Sequence, residues 1–201
     1  MKTLKVKLTF LEDCLGTASN NKNLHSDYIA SKAPNAKSKA EEIEALGVEE
    51  YEEKAMTVFP KLEDGTPFIW DYQIKGFFKD ACSSLQRCKG EEHSKKSCGL
   101  KAYKKIIDGC IFPEPRKIPL QLNGTIGELQ RPLRAQTAQG ERVTLAHSET
   151  IPAGSSLEFD VVCLSDSYAD AVIEWLDYGR WKGLGQWRNA SWGRFEYELT
   201  S

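Results

Sequence analysis

The segment from Tyr178 to Arg194, YGRWKGLGQWRNASWGR, interleaves three residue types that polyanion binding draws on. Gly179, Gly183, Gly185 and Gly193 fall within fifteen residues. Glycine lets a backbone adopt positive φ and come close to a phosphate chain. Arg180, Lys182, Arg188 and Arg194 can neutralise phosphates, and no carboxylate lies among residues 180–194. An exposed tryptophan offers a flat surface to an unpaired base. Trp181, Trp187 and Trp192 are open to two readings, as base platforms or as core residues of a chain that glycine merely turns. Trp175, on the apolar face of the preceding helical stretch, reads as core.

A second set of donors lies at Gln130–Arg142. Arg131, Arg134, Gln136, Thr137, Gln139 and Arg142 can contact phosphates or base edges, and Glu141 is the one acid among them. The plain alternative is a solvated hairpin.

Catalytic and metal chemistry have thinner support. His25 and Asp27, with Ser26, Tyr28 and Lys32 nearby, could form an acid–base group on a phosphodiester. A lone histidine in a polar loop is more often a surface residue. Cys82, Cys88, His93, Cys98 and Cys110 could supply the four soft or imidazole ligands zinc takes. They lack a closely spaced chelating pair, so free thiols and no cofactor are expected, with zinc as the alternative. Walker, HExxH and GxSxG motifs are absent, which leaves ATPase, zincin and serine-hydrolase readings without a basis.

The elements that would position these groups follow from pattern. A chain of 201 residues suits one domain with a core of its own. Lys5–Leu11 alternates polar and apolar residues, as a half-buried strand does. Residues 17–38 are polar and read as a loop. A short capped helix follows in the glutamate-rich stretch 41–53, which holds seven glutamates. Ile74, Phe77, Phe78, Ala81 and Leu85 recur at three and four residues, predicting an amphipathic helix over 72–86. Residues 87–99 read as a charged loop and 100–107 as a short helical turn. From residue 110 the period changes to two. Strands are expected near Ile118–Leu122, Leu129–Ala135, Arg142–Leu145 and Ser156–Leu164, then a helix over 167–177 and a last strand over 193–199.

The net charge of −2 gives no overall attraction to nucleic acid, so any such contact must be local. Apolar runs are only a few residues long, far short of the roughly 20 a bilayer requires. Without a recognisable signal sequence, a cytoplasmic protein with no membrane partner and no disulfides is expected.

Several segments resemble the repeat-associated mysterious protein (RAMP) superfamily of CRISPR effector subunits. The glycine-rich loop leading into Gly193-Arg194-Phe195-Glu196-Tyr197-Glu198-Leu199 is similar to the family's C-terminal signature. Gln73–Ala81 resembles its helix entry, although the family's Pro-Gly pair and small residues are replaced. Ile151–Phe159 resembles the strand it opens with a Pro-x-Gly turn, and Leu4–Leu11 followed by Leu15-Gly16 resembles its first strand. The chain is also similar to a group of bacteriophage and prophage proteins sharing Asp71–Lys79, Gln130–Thr137 and Gly183–Asn189.

The resemblance implies an α+β, ferredoxin-like βαββαβ core spanning 1–201, with insertions near 17–56 and 87–150. Strands 4–11, 156–164 and 193–199 would share one antiparallel sheet, with both long helices on one face. It further implies a non-catalytic binder of single-stranded RNA or DNA in a bacterial host, assembling as copies along the strand. Gln130–Arg142 would match the hairpin that family members project between nucleotides. The binding set is Arg131, Arg134, Gln136, Arg142, Arg180, Trp181, Lys182, Gly183, Gly185, Trp187, Arg188 and Arg194. The alternative is a mimic of an effector subunit that binds host proteins, which the acidic 41–53 stretch favours. A RAMP-type endoribonuclease using His25 and Asp27 ranks below both.

Overall fold

The computed structural model describes residues 1–21, 56–137 and 140–200, the side chains of 133–137 and 140–145 excepted. The glutamate-rich stretch and the pair His25 and Asp27 lie outside the described residues.

β1 (Lys2–Phe10) is the strand expected from its alternation. Leu4, Val6, Leu8 and Phe10 are buried, while Lys5, Lys7 and Thr9 lie on the other face. β1 is central, pairing antiparallel with β10 (Ser156–Cys163) on one side and β11 (Phe195–Thr200) on the other. On the face away from the core, Lys7 stands opposite Glu158 and Glu198, and Lys5 opposite Asp160. Opposite charges on facing strands support the register.

The far edge of β10 is shared by two short strands. Its second half pairs with β6 (Ile111–Glu114) and its first half with β7 (Lys117–Gln121). β7 also pairs with β5 (Phe68–Trp70). The six strands run β11-β1-β10-β7-β5, with β6 beside β10, and every pairing is antiparallel.

α1 (Asp71–Leu85) and α4 (Asp166–Asp177) lie where the apolar periodicity predicts. The Gln73 side chain accepts the Trp70 N–H at 2.8 Å, satisfying a donor that the first turn of α1 leaves free. α1 buries Ile74, Phe77, Phe78, Ala81, Cys82 and Leu85, and α4 buries Ala169, Ala171, Val172, Trp175 and Leu176. Phe78 meets Trp175 ring to ring, so the two helices cover the same side of the sheet.

The stretch 87–99 departs from the expected loop. It contains α2 (Lys95–Gly99), followed by α3 (Tyr103–Cys110). Glu174 of α4 organises α2 by accepting the backbone N–H of Lys96 and Ser97, both at 2.8 Å, and the Ser97 hydroxyl at 2.5 Å. The same Ser97 oxygen accepts the Trp175 indole N–H at 2.9 Å.

A second sheet carries a long hairpin. β8 (Gly127–Thr137) and β9 (Gly140–Ile151) pair in register along their whole length. β2 (Cys14–Leu15) pairs antiparallel with the end of β9, and β4 (Thr57–Val58) pairs parallel with it at Ser148. β4 also pairs with β3 (Ala18–Ser19). Glu149 reinforces this base, taking the Phe59 N–H at 2.8 Å and the Lys61 ammonium at 3.0 Å. Gly16 sits so close to the Val58 backbone that a Cβ there would lie 2.5 Å from its carbonyl carbon. From residue 147 outward β9 is paired only with β8 among the described residues, and the hairpin extends beyond its base. No helix among the described residues is long and apolar enough to cross a membrane.

Candidate functional site

The glycine-rich segment begins where α4 ends, with a 3-10 turn at Tyr178–Arg180. Its neck is closed by main-chain contact. The Leu184 N–H donates to the Gly193 carbonyl at 2.9 Å, and the Gly193 N–H donates to Asp13 at 2.8 Å. A Cβ on Gly183 would fall inside the Gly193 carbonyl group. Gly185 has φ +80, and a Cβ there would lie 2.7 Å from the Leu15 carbonyl oxygen and 2.8 Å from Cys14 Sγ. Gly179 is filled against the Phe195 ring. The sequence had suggested glycines open to a phosphate chain. In the structure the close approach at Gly183 and Gly185 is to the protein's own backbone, because the neck must fit between Gly193 and β2.

Cys14, buried beneath this neck, has its thiol pushed up to about 12, chiefly by desolvation. Its Sγ lies 3.7 Å from the Leu184 carbonyl oxygen, and at neutral pH it is a packed neutral group.

Beyond the neck the chain turns through left-handed backbone at Trp187 (φ 51) and Ser191 (φ 68), flanking a 3-10 turn at Arg188–Ala190. Non-glycine residues adopt this conformation at a cost, and such positions concentrate at functional sites. The turn faces β8. Together they enclose a cleft of about 820 Å³ whose lining includes Arg131, Pro132, Gln186, Trp187, Arg188 and Asn189. Among the described residues no carboxylate lines it. Arg131 is exposed and Trp187 half-buried.

Lys182 and Arg188 share a partner that sequence reading did not find. Asp80 Oδ2, on α1, lies 3.0 Å from Lys182 Nζ and 3.2 Å from Arg188 Nη1. Arg194 is engaged elsewhere, its Nη2 lying 2.5 Å from Glu12 Oε1, and its buried Nε has no partner among the described residues.

The remaining predicted residues divide. Arg180 is exposed, and Trp181 is 73% exposed beside a separate hollow of about 220 Å³ formed with Leu85, Cys88, His93 and Asp177. Arg134, Gln136 and Arg142 lie on the outer part of the hairpin, with Arg134 opposite Val143, Gln136 opposite Glu141 and Arg142 opposite Ala135. Of the possible zinc ligands, Cys82 is buried in the core, Cys88 and Cys98 are exposed, and Cys110 is half-buried. His93 is exposed. Among the described residues no three His, Cys, Asp or Glu side chains converge as a metal site would require.

Another cleft, of about 670 Å³, lies where α1 meets β6 and β10. Asp71, Glu114, Glu158 and Asp160 there outnumber Lys75 and Arg116, so its surplus charge is negative. A polyanion is disfavoured there and favoured in the arginine-lined cleft. Gln186 and Asn189 could have been read from the GLGQWRN run. Asp80 carried no signal, since a lone carboxylate on an amphipathic helix is ordinary.

The sequence matches no protein-family model, and no curated protein is found similar to it. Among solved structures it is similar to a chain in a cryo-EM structure of the type III-B Cmr-β complex bound to cognate target RNA, at 12% identity and a TM-score of 0.48. That alignment takes in 100% of this chain and 60% of the solved one, so this chain spans only part of its length.

Proposed function

We propose that the protein binds single-stranded nucleic acid, without cleaving it, in the cleft between the β8–β9 hairpin and the turn Gln186–Ala190. The observation that carries this reading is the meeting of Arg131 with Trp187 and Arg188 in one cleft that no carboxylate lines among the described residues. The sequence singled out both segments separately, and the fold gives them a common concavity. Arginines there neutralise phosphates, and the Trp187 indole gives a base a stacking surface.

The core fits the same reading. Along the chain the order is β1, α1, β6 with β7, β10, α4, β11, and across the sheet the last strand, the first, the third and the second lie side by side. That order supports reading the core as a ferredoxin-like βαββαβ unit. Together with the segments similar to RAMP subunits, it supports a RAMP-like domain in which the hairpin and the glycine-rich segment are the working additions.

The test is equilibrium binding of labelled single-stranded RNA and DNA at several salt concentrations. Arg131→Ala should weaken binding to all sequences alike and lower the salt slope by about 0.7, the value for one phosphate contact on a single strand. Trp187→Ala should cost about 1–3 kcal/mol with the slope kept, since stacking displaces no counterions. Absence of binding at low salt, or Arg131 and Trp187 variants that bind like the unaltered protein, would remove the proposal. Comparing the two nucleic acids tells which one the cleft prefers.

A further inference from the structure

Asp80 sits between buried residues of α1, with Phe77 and Phe78 before it and Ala81 after it, so the core fixes its position on the helix surface. Its Oδ2 atom receives Lys182 from one side of the glycine neck and Arg188 from the other, at 3.0 and 3.2 Å. The three side chains are only 22%, 28% and 34% exposed for Lys182, Asp80 and Arg188, which weakens screening by water and salt. One carboxylate oxygen held by an ammonium and a guanidinium is the environment a phosphate oxygen takes from the same two groups. Arg188 also lines the arginine-rich cleft. A phosphodiester entering that cleft therefore meets an arginine already committed to an internal anion.

We propose that Asp80 is a built-in competitor for the phosphate, holding Lys182 and Arg188 in place while keeping the affinity of the cleft for a strand low. This rests on the reading that the cleft binds nucleic acid. Displacing Asp80 exchanges one oxyanion for another, with no covalent change. A polyanion must supply enough contacts to outweigh the carboxylate, so a single stray phosphate is held poorly and a strand spanning Arg131, Trp187 and Arg188 is held well.

Asp80→Asn keeps shape and hydrogen-bonding capacity but removes the charge. Against a labelled single-stranded oligonucleotide it should bind about two- to twenty-five-fold more tightly, since each of the two pairs it disrupts is worth a factor of about 1.4 to 5. The salt slope should steepen by about 0.7 to 1.4 as one or two cations become available. The double variant Asp80→Asn with Arg188→Gln should lose most of that gain. In the unaltered protein, the NMR signals of the Asp80 carboxyl carbon and the Arg188 guanidinium should move together as oligonucleotide is added. Unchanged or weaker binding by Asp80→Asn at an unchanged melting temperature would overturn the proposal. So would an Asp80 signal that stays fixed while the cleft fills, a readout independent of how any variant folds. If the unaltered protein and Asp80→Asn both fail to bind at low salt, the nucleic-acid reading itself falls. Binding that persists without an Asp80 effect sinks only the competitor.

Discussion

Phe78 and Trp175 meet between α1 and α4 with ring centroids 5.5 Å apart and planes at 40°. Both are fully buried, and the Trp175 indole N–H is tied to Ser97, which in turn is held by Glu174. The contact joins both helices and α2 in one packed unit. Phe78→Ala should therefore cost about 3–5 kcal/mol. At roughly 2–4 °C per kcal/mol for a chain of this size, calorimetry should find the melting temperature lowered by about 6–20 °C. A drop of only a degree or two would mean that the helices do not depend on this contact.

Two glycine substitutions should act in opposite directions. Gly76 lies within α1, with open space where a Cβ would go, so Gly76→Ala should stabilise by about 0.5–1 kcal/mol through helix propensity. Gly183→Ala drives a methyl group into the Gly193 carbonyl and should destabilise by about 1–3 kcal/mol. Urea unfolding of the two variants should place their midpoints on either side of the unaltered protein.

The contrast marks what was legible in the sequence. Periodicity found β1, α1, β10, α4 and β11 to within two residues at most ends, because burial on one face imposes a repeat of 2 or 3.6. It found pieces of β8 and β9 without their joint length, since the run from Gly127 to Ile151 carries little sustained apolar alternation. α2 was unreadable because its organiser, Glu174, lies 78 residues away from Lys96. Composition identified the glycine segment, but the partners that fill Gly185 are Cys14 and Leu15, from the other end of the chain. Of the site, Arg131, Trp187 and Arg188 were legible by type, and their meeting was not.

Alkaline pH should destabilise the fold through Cys14. Burial raises its thiol from the ordinary 9.0 to about 12, so between these values the folded state keeps a proton that the unfolded chain has released. The stability contributed is complete below the unfolded value and falls by about 1.4 kcal/mol per pH unit as pH rises toward the folded one. Cys82 and Cys163, raised to about 11 by burial, add to the loss over a narrower window. Cys14→Ala should give a shallower decline in urea midpoint between about pH 8 and about pH 10.5 than the unaltered protein. Identical declines would show that the thiol is not buried as described.

Thiol modification should sort the cysteines by position. Cys88 and Cys98 are exposed and should react with a maleimide in the native state. Cys14, Cys82 and Cys163 are buried and should react at an appreciable rate only after denaturant is added. Peptide mapping of protein labelled before and after unfolding checks the assignment, and early labelling of Cys82 would contradict the packing of α1.

The closed neck of the glycine-rich segment also bears on the entropy of any encounter. Ordering one loop residue costs about 1–2 kcal/mol in backbone freedom, so a slack loop that tightens around a ligand gives up much of what its contacts return. Here Gly183 lies against Gly193, and Gly193 is hydrogen-bonded to Asp13, which tethers both ends of the turn before anything arrives. The conformational freedom of Trp187 and Arg188 is curtailed during folding itself, and a ligand entering beside Arg131 meets them already in position.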